Sequence, residues 1–243
     1  MQIIDLEDFE RIAELKKERR LKRKRERRTK FLWNVALASS VIMIFLFVAT
    51  VFPKIETNEK EPEKIEILLK KEVTMPVITE MFLPVNDYSR PGTELNTVKG
   101  IVVHYTANPG TTAIQNRGYF ESLAETKTTK ASSHYIIGLS GEIIQCVPLN
   151  EIAYASNQRN ADTISIECCI DNDAGKFNDK TYHALVHLVA WLVGDYDLEI
   201  SDIIRHYDVT GKLCPKYFVE HESAWVDFKL DVEKYMNTHG DKK

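Results

Sequence analysis

Three residues with metal-binding side chains are the strongest candidates for chemistry in this sequence of 243 residues. His104 lies at the end of an apolar, β-branched run in GIVVHYTANPG, while His206 and Cys214 flank a short turn in IIRHYDVTGKLCP. Two imidazoles and one thiolate leave the fourth position of a tetrahedral zinc ion open, which is typical of catalytic zinc sites. Each residue also has a structural alternative, because single histidines and cysteines are often buried core residues. As a set, the three predict a zinc-dependent hydrolase.

A second histidine pair offers an alternative zinc site. His183 and His187 are four positions apart in YHALVH, so they would share one face of a helix. They lack the intervening glutamate of the helical HExxH motif, and a polar stripe explains them equally well. No motif distinguishes the remaining histidines outside the predicted site, which are His134, His221 and His239.

The elements that position these residues alternate between strands and helices. Apolar runs predict strands in VKGIVVHYT, DTISIECCI and SDIIRH, and a hairpin in SSHYIIGLSGEIIQCVP. Capping residues and periodicity predict helices from Thr111 or Thr112 to about Leu123, from Asn178 or Asp179 to Gly194, and from Ala224 to Met236. The hairpin implies an antiparallel pair. We therefore predict the α/β class, a single globular domain with a central mixed β-sheet flanked by helices.

Residues 31–53 form a separate pattern of 23 positions without a charged side chain. As a helix this segment would be about 35 Å long, enough to cross a hydrocarbon core of roughly 30 Å. It lies too far from the N-terminus for a typical cleaved signal peptide and lacks a small-x-small cleavage motif at its end. We predict one N-terminal transmembrane helix, an uncleaved signal anchor, with a buried core helix as the alternative.

The charges on either side predict the orientation of this anchor. Of 32 Lys/Arg and 36 Asp/Glu, 12 basic and 7 acidic residues lie in residues 1–30, which leaves 20 and 29 for the rest. The positive-inside rule places the basic end in the cytoplasm and everything after Pro53 outside. The acidic remainder argues against a nucleic-acid substrate, and a basic tail beside a membrane span is explained by topology and lipid headgroups. We expect a single-pass protein of the cell membrane.

Four segments follow from these patterns: a basic cytoplasmic tail at 1–30, a transmembrane anchor at 31–53, an extracytoplasmic stalk at 54–80 and a catalytic domain at 81–243. The stalk is charged and interrupted by proline. A flexible chain of about 30 residues has an end-to-end distance of roughly 30 Å. The domain would therefore stand off the membrane surface.

The cysteines have two interpretations. Adjacent Cys168 and Cys169 are poorly placed to pair with each other, whereas Cys146 could pair with either one if their strands are neighbours. The alternative, which we favour, is that all three are small buried hydrophobes. So few cysteines do not make a disulfide scaffold.

Four motifs occur along the sequence in this order: GIVVHYTA, SSHYIIG, DTISIE and RHYDVTGKLCP. Together they resemble the zinc-dependent N-acetylmuramoyl-L-alanine amidases of the type 2 family, which includes phage endolysins, bacterial autolysins and peptidoglycan recognition proteins. The resemblance covers about residues 81–236. It implies a Zn²⁺ cofactor, a peptidoglycan or muropeptide substrate, and hydrolysis of the amide between N-acetylmuramic acid and L-alanine of the stem peptide.

The resemblance also implies a role for individual residues. His104, His206 and Cys214 match the zinc ligands of the family. Glu167 matches the acidic residue that acts as general base in the endolysin branch, and Lys212 matches a lysine that helps to stabilise the transition state. Without the zinc motif, Glu167 would be interpreted as an edge-strand surface charge and Lys212 as a solvated loop lysine.

One departure from the family pattern concerns Ser133. Some family members carry a tyrosine immediately before the histidine of the HYIIG-like strand, and its absence here gives Glu167 more weight in proton transfer. Strand alternation supports an active-site position for this carboxylate, because Glu167 falls on the face opposite an aliphatic layer. That layer is formed by Ile164, Ile166, Cys168 and Ile170.

A membrane-anchored muropeptide-binding receptor without catalysis is the alternative function. Family members that lose the cysteine ligand bind without cleaving. Because Cys214, Glu167 and Lys212 are all present, the sequence favours an enzyme.

Overall fold

A mixed β-sheet is the centre of the computed structural model, which describes residues 73–240. Within this range the strands are β1 (Ile78–Glu80), β2 (Gly100–Tyr105), β3 (Tyr135–Ile137), β4 (Ile143–Gln145), β5 (Thr163–Cys168) and β6 (Ile203–Arg205). They form one six-stranded sheet in the order β1-β4-β3-β5-β2-β6. Only the β3–β4 hairpin is antiparallel, and the other neighbours pair in parallel. The predicted α/β domain with a mixed sheet is confirmed.

Helices cover both faces of this sheet. They are α1 (Ala113–Thr126), α2 (Asp179–Tyr196), α3 (His206–Thr210), α4 (Lys216–Glu220) and α5 (Glu222–His239), with 3-10 turns at Asn157–Ala161 and Ile200–Asp202. The first helix begins as predicted at Thr112, which forms a capping box with Gln115. The second is capped by Asn178 and passes the predicted end at Gly194, because Asp197 takes the left-handed conformation that closes it.

Alternating side chains divide the strands between two hydrophobic cores. On one face Ile164, Ile166 and Cys168 of β5 pack with residues of α2 and α5. On the other face Ile136 and Ile144 pack with residues of α1. Because successive side chains of a strand point to opposite faces, His104 and Glu167 lie on the α1 side of the sheet. The aliphatic layer predicted opposite Glu167 is therefore present.

The sheet begins before the predicted domain start at Met81. The backbone of β1 pairs in parallel with β4, with Ile78 opposite Ile143, and Val73 is buried in the core beneath α2 and α5. The last part of the predicted stalk at 54–80 therefore belongs to the globular fold, and the domain boundary moves toward the N-terminus. The short run ITE gives too little hydrophobic signal to mark an edge strand in advance.

The predicted tail at 1–30, the anchor at 31–53 and most of the stalk lie outside the described residues. Between residues 73 and 240, no helix combines the length and the apolar character needed to cross a bilayer.

All four cysteines are free and buried. Cys146 follows β4, whereas Cys168 and Cys169 lie at the end of β5, and β3 separates these two strands in the sheet. The disulfide alternative is thus excluded by topology. Cys168 and Cys169 also point into different cores, as expected for small buried hydrophobes.

Candidate metal centre

The fold brings together the three residues predicted as metal ligands. Ligand atoms of His104, His206 and Cys214 all lie within 4.8 Å of one another. Nδ1 of His104 is 3.8 Å from Sγ of Cys214, and the two imidazole centroids are 4.7 Å apart at an interplanar angle of 63°. Tetrahedral zinc separates such nitrogen and sulfur ligands by about 3.3–3.6 Å. The cluster is therefore only slightly wider than a zinc site.

Two neighbouring strands and one short turn position these ligands. His104 belongs to β2, and β6 lies beside β2, so that the residue after β6, His206, emerges next to it. Helix α3 then ends at Gly211, whose φ of 77° allows the chain to turn back. The backbone N–H of Tyr207 donates to the carbonyl oxygen of Cys214 at 2.9 Å. This hydrogen bond holds Cys214 near the start of α3, beside His206.

Arg205, which the sequence analysis did not single out, holds this turn against the domain. Its guanidinium donates to Asp208 at 2.8 Å and to Glu222 at 2.6 Å, and it lies 5.4 Å from the ring centroid of Trp225. One buried side chain therefore joins α3 to α5, immediately before the candidate ligand His206. An arginine next to a candidate ligand gives no sequence signal that distinguishes it from a surface charge.

The Nε2 atoms of His104 and His206 both have hydrogen-bond partners in one loop. Nε2 of His206 lies 3.1 Å from Oδ1 of Asn157, and Nε2 of His104 lies 3.2 Å from Oγ of Ser156. Nδ1 of His206 is buried and has no hydrogen-bond partner among the described residues. A buried nitrogen left without a partner beside a thiol and a second imidazole is the arrangement expected of a metal ligand. The donor set fits Zn²⁺.

Burial makes both histidines suitable ligands at neutral pH. Desolvation, followed by the charges of His206 and Lys212, holds the pKa of His104 well below its usual 6.5. Burial and the charge of Lys212 also lower the pKa of His206. Burial raises the pKa of the Cys214 thiol to about 12, and a bound zinc ion reverses this because a coordinating thiol is deprotonated.

Glu167 stands beside the ligand cluster with an unsatisfied carboxylate oxygen. It is directly opposite His104 in the parallel pairing of β2 and β5, and its Oε2 is buried without a partner within residues 73–240. Burial raises the pKa of Glu167 from 4.5 to about 8, although the charge of Lys212 opposes the shift. Both protonation states are therefore accessible near neutral pH, as proton transfer requires.

Lys212 is exposed at the edge of this site. Its positive charge lowers the pKa of Glu167 and of both histidines. Thr106 is a further polar residue near the end of β2, and its Oγ1 is buried without a partner in the described part of the chain. The sequence analysis missed Thr106, because a threonine after an apolar strand has no distinguishing pattern.

The alternative histidine pair is not brought into a metal cluster. Nε2 of His187 lies 3.0 Å from the carbonyl oxygen of Thr74, and its ring packs on Tyr235 with centroids 5.0 Å apart. Within residues 73–240, the predicted trio is the only group of three or more potential ligands close enough to share an ion. Within this range, His183 and His187 therefore do not belong to a cluster of potential metal ligands.

Two further residues near the sequence motifs are structural. His134 has both ring nitrogens in contact with partners, Oγ of Ser165 at 3.0 Å and the carbonyl oxygen of Glu151 at 2.9 Å. Ser133, at the position where some relatives carry tyrosine, donates to the carbonyl oxygen of Tyr135 at 2.8 Å. Neither side chain is available to a substrate in this arrangement.

Comparison with known proteins assigns this domain to a family. A profile described as N-acetylmuramoyl-L-alanine amidase matches residues 94–217, about half of the chain. The chain belongs to the N-acetylmuramoyl-L-alanine amidase family. The matched range contains every predicted site residue of this amidase domain: His104, Glu167, His206, Lys212 and Cys214.

Curated relatives and solved structures agree with this assignment. N-acetylmuramoyl-L-alanine amidase CwlL of Bacillus licheniformis is 37% identical over 175 residues, which cover 67% of this chain and 48% of the relative. N-acetylmuramoyl-L-alanine amidase BlyA of Bacillus subtilis (strain 168) is 38% identical over 184 residues, with the same coverage of 67% and 48%. This chain spans about half the length of these curated relatives. The solved catalytic domain of XlyA is 27% identical with a TM-score of 0.55, covering 65% of this chain and 99% of that domain.

Proposed function

We propose that this protein is a membrane-anchored peptidoglycan hydrolase that uses zinc to cleave the amide between N-acetylmuramic acid and L-alanine of the stem peptide. The observation that carries the proposal is the buried trio of His104, His206 and Cys214 beside the unsatisfied carboxylate of Glu167. Membership of the amidase family and the names of the relatives identify the bond.

The metal would be held by the two imidazoles and the thiolate. When bound, a zinc ion polarises the scissile carbonyl and lowers the pKa of a water molecule from about 16 toward 7. The neutral state of both imidazoles leaves their lone pairs available for this coordination. The buried position of Cys214, which is 2% exposed, excludes bulk water from the sulfur.

Glu167 is the proton-transfer residue of the proposed reaction. Its carboxylate accepts a proton from the attacking water and then donates that proton to the leaving nitrogen of L-alanine. The position opposite His104 places it next to the metal ligands.

Lys212 stabilises negative charge as it develops on the carbonyl oxygen. Its ammonium group already acts electrostatically on Glu167 and both histidines, so it lies within range of an anion formed among them. Removal of one such stabilising donor typically costs a few kcal/mol of transition-state energy.

The proposal also includes a membrane anchor at residues 31–53. Residues 31–53 would cross the cell membrane with the basic tail inside, so that the amidase domain faces the cell wall or periplasm. The support is the 23-residue uncharged segment and the 12 basic residues before it. Proteolysis of intact cells should digest the amidase domain and spare the N-terminal tail. Recovery of a protected amidase domain in the cytoplasmic fraction would contradict this topology.

The activity is tested with the full chain in mild detergent and purified peptidoglycan. Zinc-loaded wild type should release new L-alanine amino termini, Cys214→Ala should lose both zinc and cleavage, and Glu167→Gln should keep zinc but lose cleavage. A wild type that binds zinc and muropeptides without releasing amino termini would instead indicate the receptor function. That alternative is not favoured, because Cys214, Glu167 and Lys212 are all present.

A further inference from the structure

We propose that Ser156 and Asn157 are positioning residues that set the tautomers of the two histidine ligands, so that both Nδ1 atoms face the metal. This inference rests on the metal site of the proposed function. In this proposal, the loop that carries Ser156 and Asn157 determines which imidazole nitrogen binds the ion. The elements that carry the two histidines, β2 and α3, do not.

Both contacts are made by Nε2, the ring nitrogen that does not bind the metal in this proposal. Nε2 of His104 meets the hydroxyl of Ser156 at 3.2 Å, and Nε2 of His206 meets the amide oxygen of Asn157 at 3.1 Å. The opposite nitrogen of each ring turns inward. Nδ1 of His104 faces the sulfur of Cys214 at 3.8 Å, and Nδ1 of His206 is buried without a partner in the described residues.

Asn157 imposes one tautomer on His206. A neutral imidazole carries its single proton on either Nδ1 or Nε2. The Oδ1 atom of an asparagine only accepts, so its contact places the proton on Nε2 and leaves the lone pair on Nδ1. The ring therefore offers a ligand atom to the ion without first losing a proton.

Ser156 does not by itself determine the tautomer of His104. A hydroxyl both donates and accepts, so it satisfies either tautomer of the free ring. Once Nδ1 binds a metal, Nε2 must carry the proton, and Ser156 then accepts from it. Ser156 is 1% exposed, so without this serine the Nε2–H group would be buried with no partner.

The loop that carries both residues is itself held in place. Oδ1 of Asn160 accepts from the backbone N–H groups of Ala155 at 3.1 Å and Ser156 at 2.6 Å. On the other side, the amide of Gln158 donates to the carbonyl oxygen of Val209 in α3, at 3.2 Å. These bonds fix the loop to the helix that begins at His206.

The backbone at Asn157 provides matched variants. Its φ of 53° is left-handed, a conformation that is less costly for asparagine, aspartate and glycine than for alanine. Asn157→Gly therefore removes the acceptor without straining the loop. Asn157→Asp keeps an acceptor in the same position.

The test measures zinc affinity of the full chain in detergent by competition with a chelator. We expect Asn157→Gly and Ser156→Ala to weaken zinc binding by about 10–100-fold, as loss of an outer partner of a ligand usually does. Asn157→Asp should stay within a few-fold of wild type. The absorption bands of the Co²⁺-substituted protein, which report ligand geometry, should shift in Asn157→Gly and remain near wild type in Asn157→Asp. The proposal is overturned if Asn157→Gly binds zinc like wild type with unchanged Co²⁺ bands, or if Asn157→Asp loses as much affinity as Asn157→Gly.

A second measurement needs no variant and no substrate. In the metal-free wild type, ¹⁵N spectra of labelled histidine should show His206 protonated on Nε2, and a proton on Nδ1 would contradict the assignment.

Failure of this inference differs from failure of the proposed function. A wild type that binds zinc but leaves peptidoglycan intact would refute the activity alone, whereas an active enzyme with unaffected loop variants would refute the positioning role alone.

Discussion

His104 and Glu167 are directly opposite each other on neighbouring parallel strands, so a candidate metal ligand and a buried carboxylate share one face of the sheet. This relationship follows from β2 and β5 being adjacent and in register from Gly100 and Thr163 onward. It places the proposed proton-transfer group on an interior strand of the sheet. The remaining ligands, His206 and Cys214, are then supplied by the turn that follows β6.

Glu167→Gln should separate catalysis from metal binding. The amide has nearly the same shape but cannot take a proton from water, so we expect cleavage of peptidoglycan to fall by about 10²–10⁴-fold. Zinc content should equal that of wild type, because Glu167 is not one of the clustered ligands. The measurements are amino-terminus release and metal analysis of the same preparation. Loss of zinc in Glu167→Gln would show that the carboxylate supports the metal site instead.

The buried carboxyl also predicts how stability depends on pH in the zinc-depleted protein. Burial raises the pKa of Glu167 from 4.5 to about 8, so the folded chain binds this proton more tightly than the unfolded chain. Its contribution to stability is fully present below pH 4.5 and is lost as pH rises to about 8. Glu167→Gln should therefore gain stability relative to wild type between pH 5 and 9, measured by unfolding at each pH.

The control for this titration is Glu233→Gln on the exposed surface of α5. This variant should follow the wild-type pH dependence across the same range. If Glu167→Gln also follows wild type, the folded and unfolded chains bind the Glu167 proton equally, and burial of its carboxylate has no energetic effect.

Lys212→Met should lower activity and shift its pH dependence. The positive charge of Lys212 lowers the pKa of Glu167, so its removal raises that pKa further. The acid limb of kcat/KM, which reports the base that must be deprotonated, should move to higher pH, with a loss of about 10²–10³-fold at neutral pH. Lys212→Arg, which keeps the charge, should retain the wild-type limb. An unshifted limb in Lys212→Met would place the ammonium too far from Glu167 to matter.

Removal of the metal should destabilise the domain. A ligand that binds only the folded state stabilises it by about 2.7 kcal/mol at 100 times its Kd, so added zinc should raise the thermal midpoint of wild type. Cys214→Ala should show little of this rise because one of three ligands is lost. Cys146→Ala is the matched control, since Cys146 is equally buried but lies in the core beside α1. A full zinc-dependent rise in Cys214→Ala would exclude the thiolate as a ligand.

Much of this architecture was predictable because it depends on local patterns. Apolar runs mark β2 and β5, and strand alternation places Glu167 opposite its aliphatic layer. The capping of α1 and α2 by Thr112 and Asn178 is visible as residue type. The edge strand at Ile78–Glu80 was missed because its pairing with β4 is non-local and its three residues carry little periodicity. Ser156 and Asn157 were missed for the same reason. Their importance arises only when the loop meets His104 and His206, which are 52 and 49 residues away.

Arg205 should be essential for the stability of the ligand turn. The guanidinium of Arg205 contacts Asp208 and Glu222, and the residue is 7% exposed. Arg205→Ala therefore removes the charged partner of the Asp208 carboxylate and leaves it the backbone N–H of residue 205. Removing one partner of a buried ion pair costs about 3–5 kcal/mol, and we expect about half of that here because Glu222 is largely exposed. Arg205→Lys should recover little, since lysine lacks the planar fork that contacts both carboxylates. Denaturant unfolding with zinc present measures the loss, and an unchanged midpoint in Arg205→Ala would show that α3 is held by Cys214 and the metal alone.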